Sequence, residues 1–595
     1  MIKILKNFTK KDWLIILICI ALICGQVFFD LKLPDYMSEI TRLVQSDDTK
    51  IGSVIEQGAY MLGCAGASLL LAVFVGYLAS FISATLSMRI RRKLFSKVES
   101  FSMEEMNKFS VSSLITRTTN DITQIQMFIS MGLQMLIKAP ITAVWAVLNI
   151  LNKSWQWSAV TAVAVLVMLC TISFLLIAVF PNFKKVQKLL DKVNRVTREN
   201  LTGIRVVRAF NAEKYQEEKF EVSNKELTDM QMFNQRCFSI MSPIMYMVLN
   251  VLTLAIYFVG AKLIDGALMS EKIGLFSDMV VFSSYAMQVI ASFIMLALIF
   301  VMFPRAQVSS KRINEVLDLD PSIKDGNIKQ INSGKCGEVE FKNVSFKYPD
   351  GSENVIEDIS FKANKGETVA IIGATGSGKS TLVNLIPRFY DATEGKILVD
   401  GVNVKEYNQE FLHNKIGYVP QKAVLFSDSV FENVAYGENG KGNKTLDKVK
   451  KAIEVAQGKD FVESMEDNYN GHIAQGGTNL SGGQKQRLSI ARAIARDPEI
   501  YIFDDSFSAL DYKTDTMLRK ELKKYTKDAT SIIVAQRIGT VMHADKIIVL
   551  EDGKCVGMGT HKELLEKCEI YKEIALSQLS KEEIENAWWK KWTRK

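Results

Sequence analysis

At 595 residues the chain has room for two to four domains. Its residues are 48% hydrophobic and 23% charged, and the mean hydropathy of +0.09 averages two unlike halves, with long apolar runs before about residue 305 and ordinary globular composition after. The net charge of +8 gathers beside the apolar runs, which suits a membrane protein with basic cytoplasmic loops and not a nucleic-acid binder. Eight scattered Cys with no C-x-x-C pair indicate neither a disulfide framework nor a zinc site.

Residues 1–12 place Ile2, Ile4, Leu5 and Phe8 among four lysines, as in an interfacial amphipathic helix or a frayed basic start. No small-residue cleavage site follows, so the first apolar run reads as an anchor. Six runs come in order: Trp13–Leu33, Gly58–Ser83, Gly132–Leu151, Ser158–Phe180, Met241–Ile264 and Met279–Phe303. Each is long enough to cross a hydrocarbon core of about 30 Å as a helix. The second connection carries Arg89, Arg91, Arg92, Lys93, Lys97, Lys108 and Arg117, and the fourth carries Lys184, Lys185, Lys188, Arg195, Arg198, Arg205 and Arg208. The other loops hold Asp35, Asp47, Asp48 and Asp278. The positive-inside rule therefore makes the two basic loops and both termini cytoplasmic.

From Tyr77 to Met131 there is no Gly or Pro, which predicts helices running on continuously from the second and third spans into the cytoplasm. Phe109–Leu114 and Arg208–Glu213 are candidate contact points at the turns. Lys138, in the cytoplasmic half of the third run and two residues before Pro140, is either a functional charge or a snorkelling one. Met131, Met135, Met241, Met245, Met247, Met287 and Met295 suit either a cavity for varied apolar ligands or a lipid-facing surface. A polar connector over 308–337, with Pro321, Asp325-Gly326 and Ser333-Gly334, separates a membrane domain over 1–307 from a mixed strand–helix domain over 338–578. The tail 579–595 ends in AWWKKWTRK, whose basic and aromatic residues suit a disordered tail or a membrane contact.

The most specific stretch of the second domain is Gly373, Ala374, Thr375, Gly376, Ser377, Gly378, Lys379, Ser380 and Thr381, set between an apolar strand and a helix. A glycine-rich loop there cradles phosphates with backbone N–H groups; Lys379 reaches the β/γ-phosphates and Ser380 holds Mg²⁺. Tyr348 is a candidate for stacking on adenine, and Gln421 a neutral ligand for Mg²⁺ or the attacking water. Ser481, Gly482, Gly483 and Gln484 open a helix that can clasp a γ-phosphate. The strand Ile500–Phe503 ends in Asp504, placed to hold Mg²⁺ through water, and Ser508–Asp511 follows.

In order and spacing these motifs resemble the ATP-binding cassette of an ABC transporter, and the chain from about residue 10 to 578 resembles an ABC exporter half-transporter. NKFSVSSLITRTTNDI (107–122) and NLTGIRVVRAFNAEKYQEEKF (200–220) are similar to the family's two intracellular loops. The resemblance implies six helical spans with long cytoplasmic extensions followed by an α/β P-loop domain. It also implies a dimer in which ATP is sandwiched between one subunit's phosphate loop and the other's signature LSGGQ, with the second loop docking on the partner's cassette.

Two positions depart from the family pattern. Where the family has a Glu as general base this chain has Asp505, one methylene shorter. Where the family has a His contacting the γ-phosphate this chain has Gln536, which cannot carry the imidazole's proton. Tyr348, Lys379, Ser380, Gln421 and Asp504 remain, so ATP binding is expected to survive while hydrolysis is poor. The intact Ser481–Gln484 then serves a different partner chain, giving a heterodimer like the asymmetric, often multidrug-type, exporters. A homodimer with two slow sites, a lipid flippase and a nucleotide-gated channel are the rival readings. Scarce charge in the spans argues against the channel. Drugs, lipids and hydrophobic peptides all suit the transport path, and a bacterial plasma membrane fits the compact chain.

Overall fold

The computed structural model describes residues 2–45, 51–151, 155–330, 336–437 and 445–578. Asp47, Asp48, Ser333-Gly334 and the tail 579–595 lie outside the described residues, as do the side chains of Lys184 and Met241. The chain divides into two compact units: Met1–Glu99 with Ser110–Leu319, and Ser100–Phe109 with the chain from Asp320.

The first unit is helical. Its six long helices are α1 (Lys10–Gln45), α2 (Ile51–Glu99), α3 (Asn120–Leu151), α4 (Trp155–Thr202), α5 (Glu213–Asp265) and α6 (Met269–Leu317). Each contains a window long and apolar enough to span a membrane, where a helix keeps every backbone polar group satisfied. A span needs about 20 residues, so α2, α4, α5 and α6, at 49, 48, 53 and 49 residues, project well beyond it. Pro34, Pro140, Pro181, Pro243 and Pro304 all sit inside these helices. The bundle closes on Trp157, Ile256, Phe282, Tyr285 and Val289, all essentially fully buried. The methionines divide: Met245 and Met279 are buried, whereas Met131, Met247 and Met287 are exposed on the single chain.

Lys138 is paired with a neighbouring helix. Its ammonium lies 3.0 Å from a carboxylate oxygen of Asp30, a residue 17 positions beyond Trp13 in α1. Sequence reading overlooked that carboxylate because it sits inside the first apolar run.

The continuous helix expected across Tyr77–Met131 is broken at Ser102, Ser110 and Thr119. Ser102 and Ser110 adopt extended N-cap backbone (φ −78°, ψ 172° and φ −70°, ψ 147°). They stop one helix and start the next without Gly or Pro, as N-cap hydroxyls do. Between them stands the short helix Met103–Lys108, and Ser100–Phe109 belongs to the second unit. There Glu105, 1% exposed, accepts from the backbone N–H of Ser102 and of Ser322, each at 3.0 Å. Asn107 donates to the Tyr390 hydroxyl at 3.0 Å. Met103–Lys108 thus packs with the cassette unit, immediately ahead of Phe109, the first residue of the expected contact segment, which belongs to the same unit. At the other cytoplasmic turn, Ile204–Ala209 forms a short helix, Asn211 turns the chain with a left-handed φ of 50°, and Phe210 is 78% exposed.

The polar connector is less irregular than expected, because α6 continues through Val308–Leu317. Beyond it Asp325 accepts from the Gln409 N–H at 3.0 Å and from the Asn408 amide at 3.1 Å. The cassette then builds two main sheets. Strands β1 (Val339–Phe346), β2 (Ile356–Ala363), β4 (Glu394–Val399) and β5 (Val402–Asn403) form an antiparallel sheet in the order β2-β1-β4-β5. Strands β3 (Thr368–Gly373), β6 (Ile416–Val419), β7 (Ile500–Asp504), β8 (Thr530–Val534), β9 (Lys546–Glu551) and β10 (Lys554–Gly559) form the order β10-β9-β3-β8-β7-β6. All pairs in this sheet are parallel except β9–β10. Alternate residues feed opposite cores: Val369 and Ile371 pack with Ile502 and Val534, while Ala370 and Ile372 pack with Phe503 and Val549. Both faces are covered, as a parallel sheet requires.

Candidate functional site

Neighbouring parallel strands finish together, so four loops converge at the carboxyl edge of the sheet, where open α/β sheets bind ligands. Val534 of β8 pairs with Ile371 of β3 and with Asp504 of β7, and Val419 of β6 pairs with Phe503. This register gathers the loop after Gly373, the Asp504-Asp505 step, Ala535-Gln536 and Pro420-Gln421.

The loop Ala374–Gly378 arches from β3 into the helix α7 (Lys379–Asn384). Gly376 and Gly378 take φ of 89° and 92°, a region nearly closed to residues with a Cβ. A side chain at Gly373 would strike the Leu550 carbonyl. Lys379, buried, donates to the carbonyls of Gly373 (2.9 Å) and Ala374 (2.5 Å), with Ser377 Oγ at 3.4 Å. Its ammonium therefore lies inside the loop. Burial pulls Lys379 below the ordinary lysine value, against the attraction of Asp505 and Asp504. Tyr348 stands beside the loop: its hydroxyl pairs with Thr381 Oγ1 at 3.1 Å and its ring packs edge-on against Phe346 and Tyr390.

Ser380 Oγ donates to Asp504 Oδ1 at 2.8 Å. A hydroxyl and a carboxylate side by side are hard oxygen donors of the kind Mg²⁺ takes, the rest of its octahedron coming from phosphate and water, so the residues present fit a Mg²⁺–nucleotide. Burial pushes Asp504 above the usual carboxylate range; the Ser380 hydrogen bond opposes this, and the neighbouring Asp505 charge adds to it.

Asp505 has a left-handed φ of 47° and turns its carboxylate toward two amides. Gln536 Nε2 donates to Asp505 Oδ2 at 2.9 Å, and Gln421 Nε2 lies 3.5 Å from the same oxygen. The two departures from the family pattern are therefore in direct contact. Gln421 thus stands beside Asp505, and among the described residues no hydrogen bond joins it to Ser380 or Asp504. Burial also raises Asp505, while the amides of Gln421 and Gln536 draw it back.

Gln578, absent from the sequence reading, grips the same loop. It donates to the Gln536 carbonyl at 2.9 Å and accepts from the Ile538 N–H at 2.8 Å. No local motif signals it, because the contact depends on where the last helix returns.

Ser481 caps the helix α8 (Gly482–Ala495), with Gln484 folded back to accept from the Ser481 N–H at 2.8 Å. Ser481 and Gly482 are exposed, and nothing lies within 4 Å of a Cβ built on Gly482. Among the described residues no hydrogen bond connects Ser481–Gln484 with the phosphate loop of the same chain. Asp511, the last residue of the Ser508–Asp511 segment, caps the helix Tyr512–Tyr525 by accepting from the Thr514 N–H at 2.9 Å.

Comparison with known proteins agrees with this architecture. Residues 13–303 match the ABC transporter transmembrane region and residues 356–508 match the ABC transporter family model. An uncharacterized ABC transporter ATP-binding protein of Mycobacterium tuberculosis (strain ATCC 25618 / H37Rv) is 37% identical over 547 residues, covering 91% of this chain and 93% of that one. A protein of Bacillus subtilis (strain 168), provisionally named a multidrug export ATP-binding/permease protein, is 32% identical over 84% of each chain. A solved bacterial Atm1-family ABC exporter with ATP bound shares the fold at a TM-score of 0.78 and 22% identity, over 96% of this chain and 98% of that one. A helical domain with six candidate spans, fused to a cassette whose phosphate loop, Asp-ended strand and capped signature helix are all in place, makes this chain a member of the ABC transporters.

Proposed function

We propose that this chain is one half of a heterodimeric ABC exporter, that its own phosphate-loop site holds Mg²⁺–ATP and hydrolyses it slowly, and that Ser481–Gln484 completes the partner's competent site. The observation that carries this reading is the 2.9 Å bond from Gln536 to Asp505. An attacking water needs a carboxylate oxygen free to accept its proton and placed within hydrogen-bond reach. Basicity is not what limits Asp505, since burial keeps it above the usual range. Reach and orientation are. The side chain is a methylene short of Glu, and its Oδ2 is held toward Gln536, a neutral amide that cannot itself carry a proton, which fixes the carboxylate back from the nucleotide.

The other residues keep their parts. The loop amides and Lys379 grip phosphates, Ser380 and Asp504 hold the metal, and Tyr348 flanks the loop. Bound Mg²⁺ supplies charge neutralisation at the phosphates. The exposed Ser481 and Gly482 support a role toward a nucleotide held by another chain. Ser100–Phe109 packs with the cassette unit while remaining continuous with α2. Rearrangement at the nucleotide is thereby passed to the spans through the covalent chain, and exposed Phe210 offers a second contact to the partner's cassette. The basic loops favour a cytoplasmic cassette and termini. The bacterial relatives support a plasma-membrane location, and the relative named for multidrug export supports amphipathic or hydrophobic cargo.

The test is ATP turnover by the purified chain, alone and after Asp505→Glu with Gln536→His. Negligible turnover that the double change restores supports the reading and directs attention to co-purifying partners. Brisk turnover by the unmodified chain assigns a self-sufficient homodimer instead.

A further inference from the structure

Four membrane helices meet at one residue. Asp30 of α1 accepts from Ser68 of α2 and from Lys138 of α3, and its backbone carbonyl accepts from Gln288 of α6 at 3.4 Å. Asp30 lies within the first apolar run, three residues before its end at Leu33, and Lys138 lies within the third. The ion pair is not sealed: the side chains of Lys138 and Asp30 keep 26% and 28% of their surface accessible.

A charge pair is poor cement between apolar runs. Desolvating two ions cancels much of their attraction, and well-packed apolar residues of the same volume would hold the helices as well. Ionisable groups within spans instead mark ligand pathways. Two further details point to a ligand here. Gln288 Oε1 and Thr142 Oγ1 are buried without a hydrogen-bond partner among the described residues. Thr142 stands one helical turn beyond Lys138. Farther along the same helix, Pro140, Ile141, Val144, Trp145 and Leu148 line a shallow, open apolar groove of about 410 Å³. Trp145 of this groove packs 5.9 Å from Phe28, so α3 touches α1 here as well as at Asp30.

We propose that Asp30 and Lys138 form the head-group site of the transport path, for an amphiphile bearing a primary ammonium and an acid group, its apolar chain lying along Pro140–Leu148. The cargo's ammonium meets Asp30 and gives a hydrogen to the orphan Gln288 oxygen. Its acid group meets Lys138. A quaternary ammonium has no N–H to give that oxygen, and a purely anionic head leaves Asp30 facing like charge. This deepens, and rests on, the reading of the chain as an exporter subunit for amphipathic compounds.

The test is ligand binding without ATP, so its failure is separable from any result on hydrolysis. The full chain in maltoside micelles is titrated with lysophosphatidylethanolamine, lysophosphatidylcholine and lysophosphatidylglycerol of one acyl chain, and bound adducts are counted by native mass spectrometry. The ethanolamine lipid binds about tenfold tighter than the glycerol lipid, one such decade being a single head-group contact, with the choline lipid between. Asp30→Asn removes that preference, Lys138→Gln weakens both the ethanolamine and glycerol lipids, and the exchange Asp30→Lys with Lys138→Asp, which preserves the pair, preserves the preference. Equal binding of the three lipids by the unmodified chain overturns the proposal even if no variant folds, and so does a rank order that neither single change moves.

Discussion

Consider the pair Asp505→Glu and Gln536→His, made singly and together. Asp505 Oδ2 rests 2.9 Å from Gln536 Nε2 and 3.5 Å from Gln421 Nε2. Lengthening the side chain by one methylene cannot leave its carboxylate there; it must swing off Gln536 or push past it. An error of about 1 Å in placing a reacting group lowers rate on the order of 10²-fold, so correcting it in full is worth about 2.7 kcal/mol of barrier at 1.36 kcal/mol per decade. The single change Asp505→Glu recovers less than this, because Gln536 still donates to the carboxylate. Gln536→His alone leaves the short Asp505 in place and also recovers little. Together they restore the full factor, with a coupling of about 0.5–3 kcal/mol between the sites, as contacting residues show. The assay is phosphate release at saturating ATP from the chain in lipid nanodiscs, with nucleotide affinity measured separately. If the double variant equals the product of the singles, the contact plays no part. If the unmodified chain turns over near a typical enzyme rate of about 10 s⁻¹, the slow-site argument is refuted.

Lys379→Met removes the ammonium from the phosphate loop and weakens ATP binding at least about tenfold, the worth of one charge-assisted hydrogen bond, in equilibrium dialysis; unchanged affinity would displace Lys379 from the site. Asp505→Asn keeps a carbonyl for both glutamines but removes a buried charge. Asp504 and Asp505 have folded values raised by burial above their unfolded ones, so their contribution is full below the unfolded value and is lost as pH rises from there through the folded value. The variant therefore melts higher without nucleotide at pH 7.5, by about 2–4 °C for each kcal/mol relieved in a domain of this size, and the gain vanishes near pH 4. Glu105 behaves oppositely: burial raises it, but hydrogen bonds from Ser102 and Ser322 win and hold it below the ordinary glutamate value. Its contribution is present above the unfolded value and disappears as pH falls through the folded one. Glu105→Ala strands two N–H groups, destabilising the cassette unit by about 1–3 kcal/mol, read by chemical denaturation.

The parts of this molecule legible in its sequence are those written locally. Apolar runs of twenty residues, a glycine loop between strand and helix, and a capped signature helix need no distant residue to be recognised. What the sequence concealed depends on meetings across the fold. Asp30 vanished into an averaged hydropathy window, and Lys138 consequently looked like a solitary charge. Ser102 and Ser110 start new helices from extended N-cap backbone, a break that needs neither Gly nor Pro. Gln536 and Asp505 each depart from the family pattern on their own, but their contact follows from the adjacency of β7 and β8, which spacing along the chain does not announce. Gln578 carries no motif at all.

The seating of Met103–Lys108 on the cassette has a consequence for how the chain is made. Asn107 and Tyr390 are 283 residues apart, and at roughly 5–20 residues per second of synthesis the first waits about 15–60 s for the second to be translated. Throughout that interval the future seat of Glu105 does not exist, and its carboxylate stays hydrated. Ser322 and Tyr390 can therefore close over it only after both membrane helices flanking the loop have left the ribosome. A cassette produced from residue 320 onward lacks its own plug, and a ribosome that stalls between residues 110 and 320 leaves a loop with nothing to receive it.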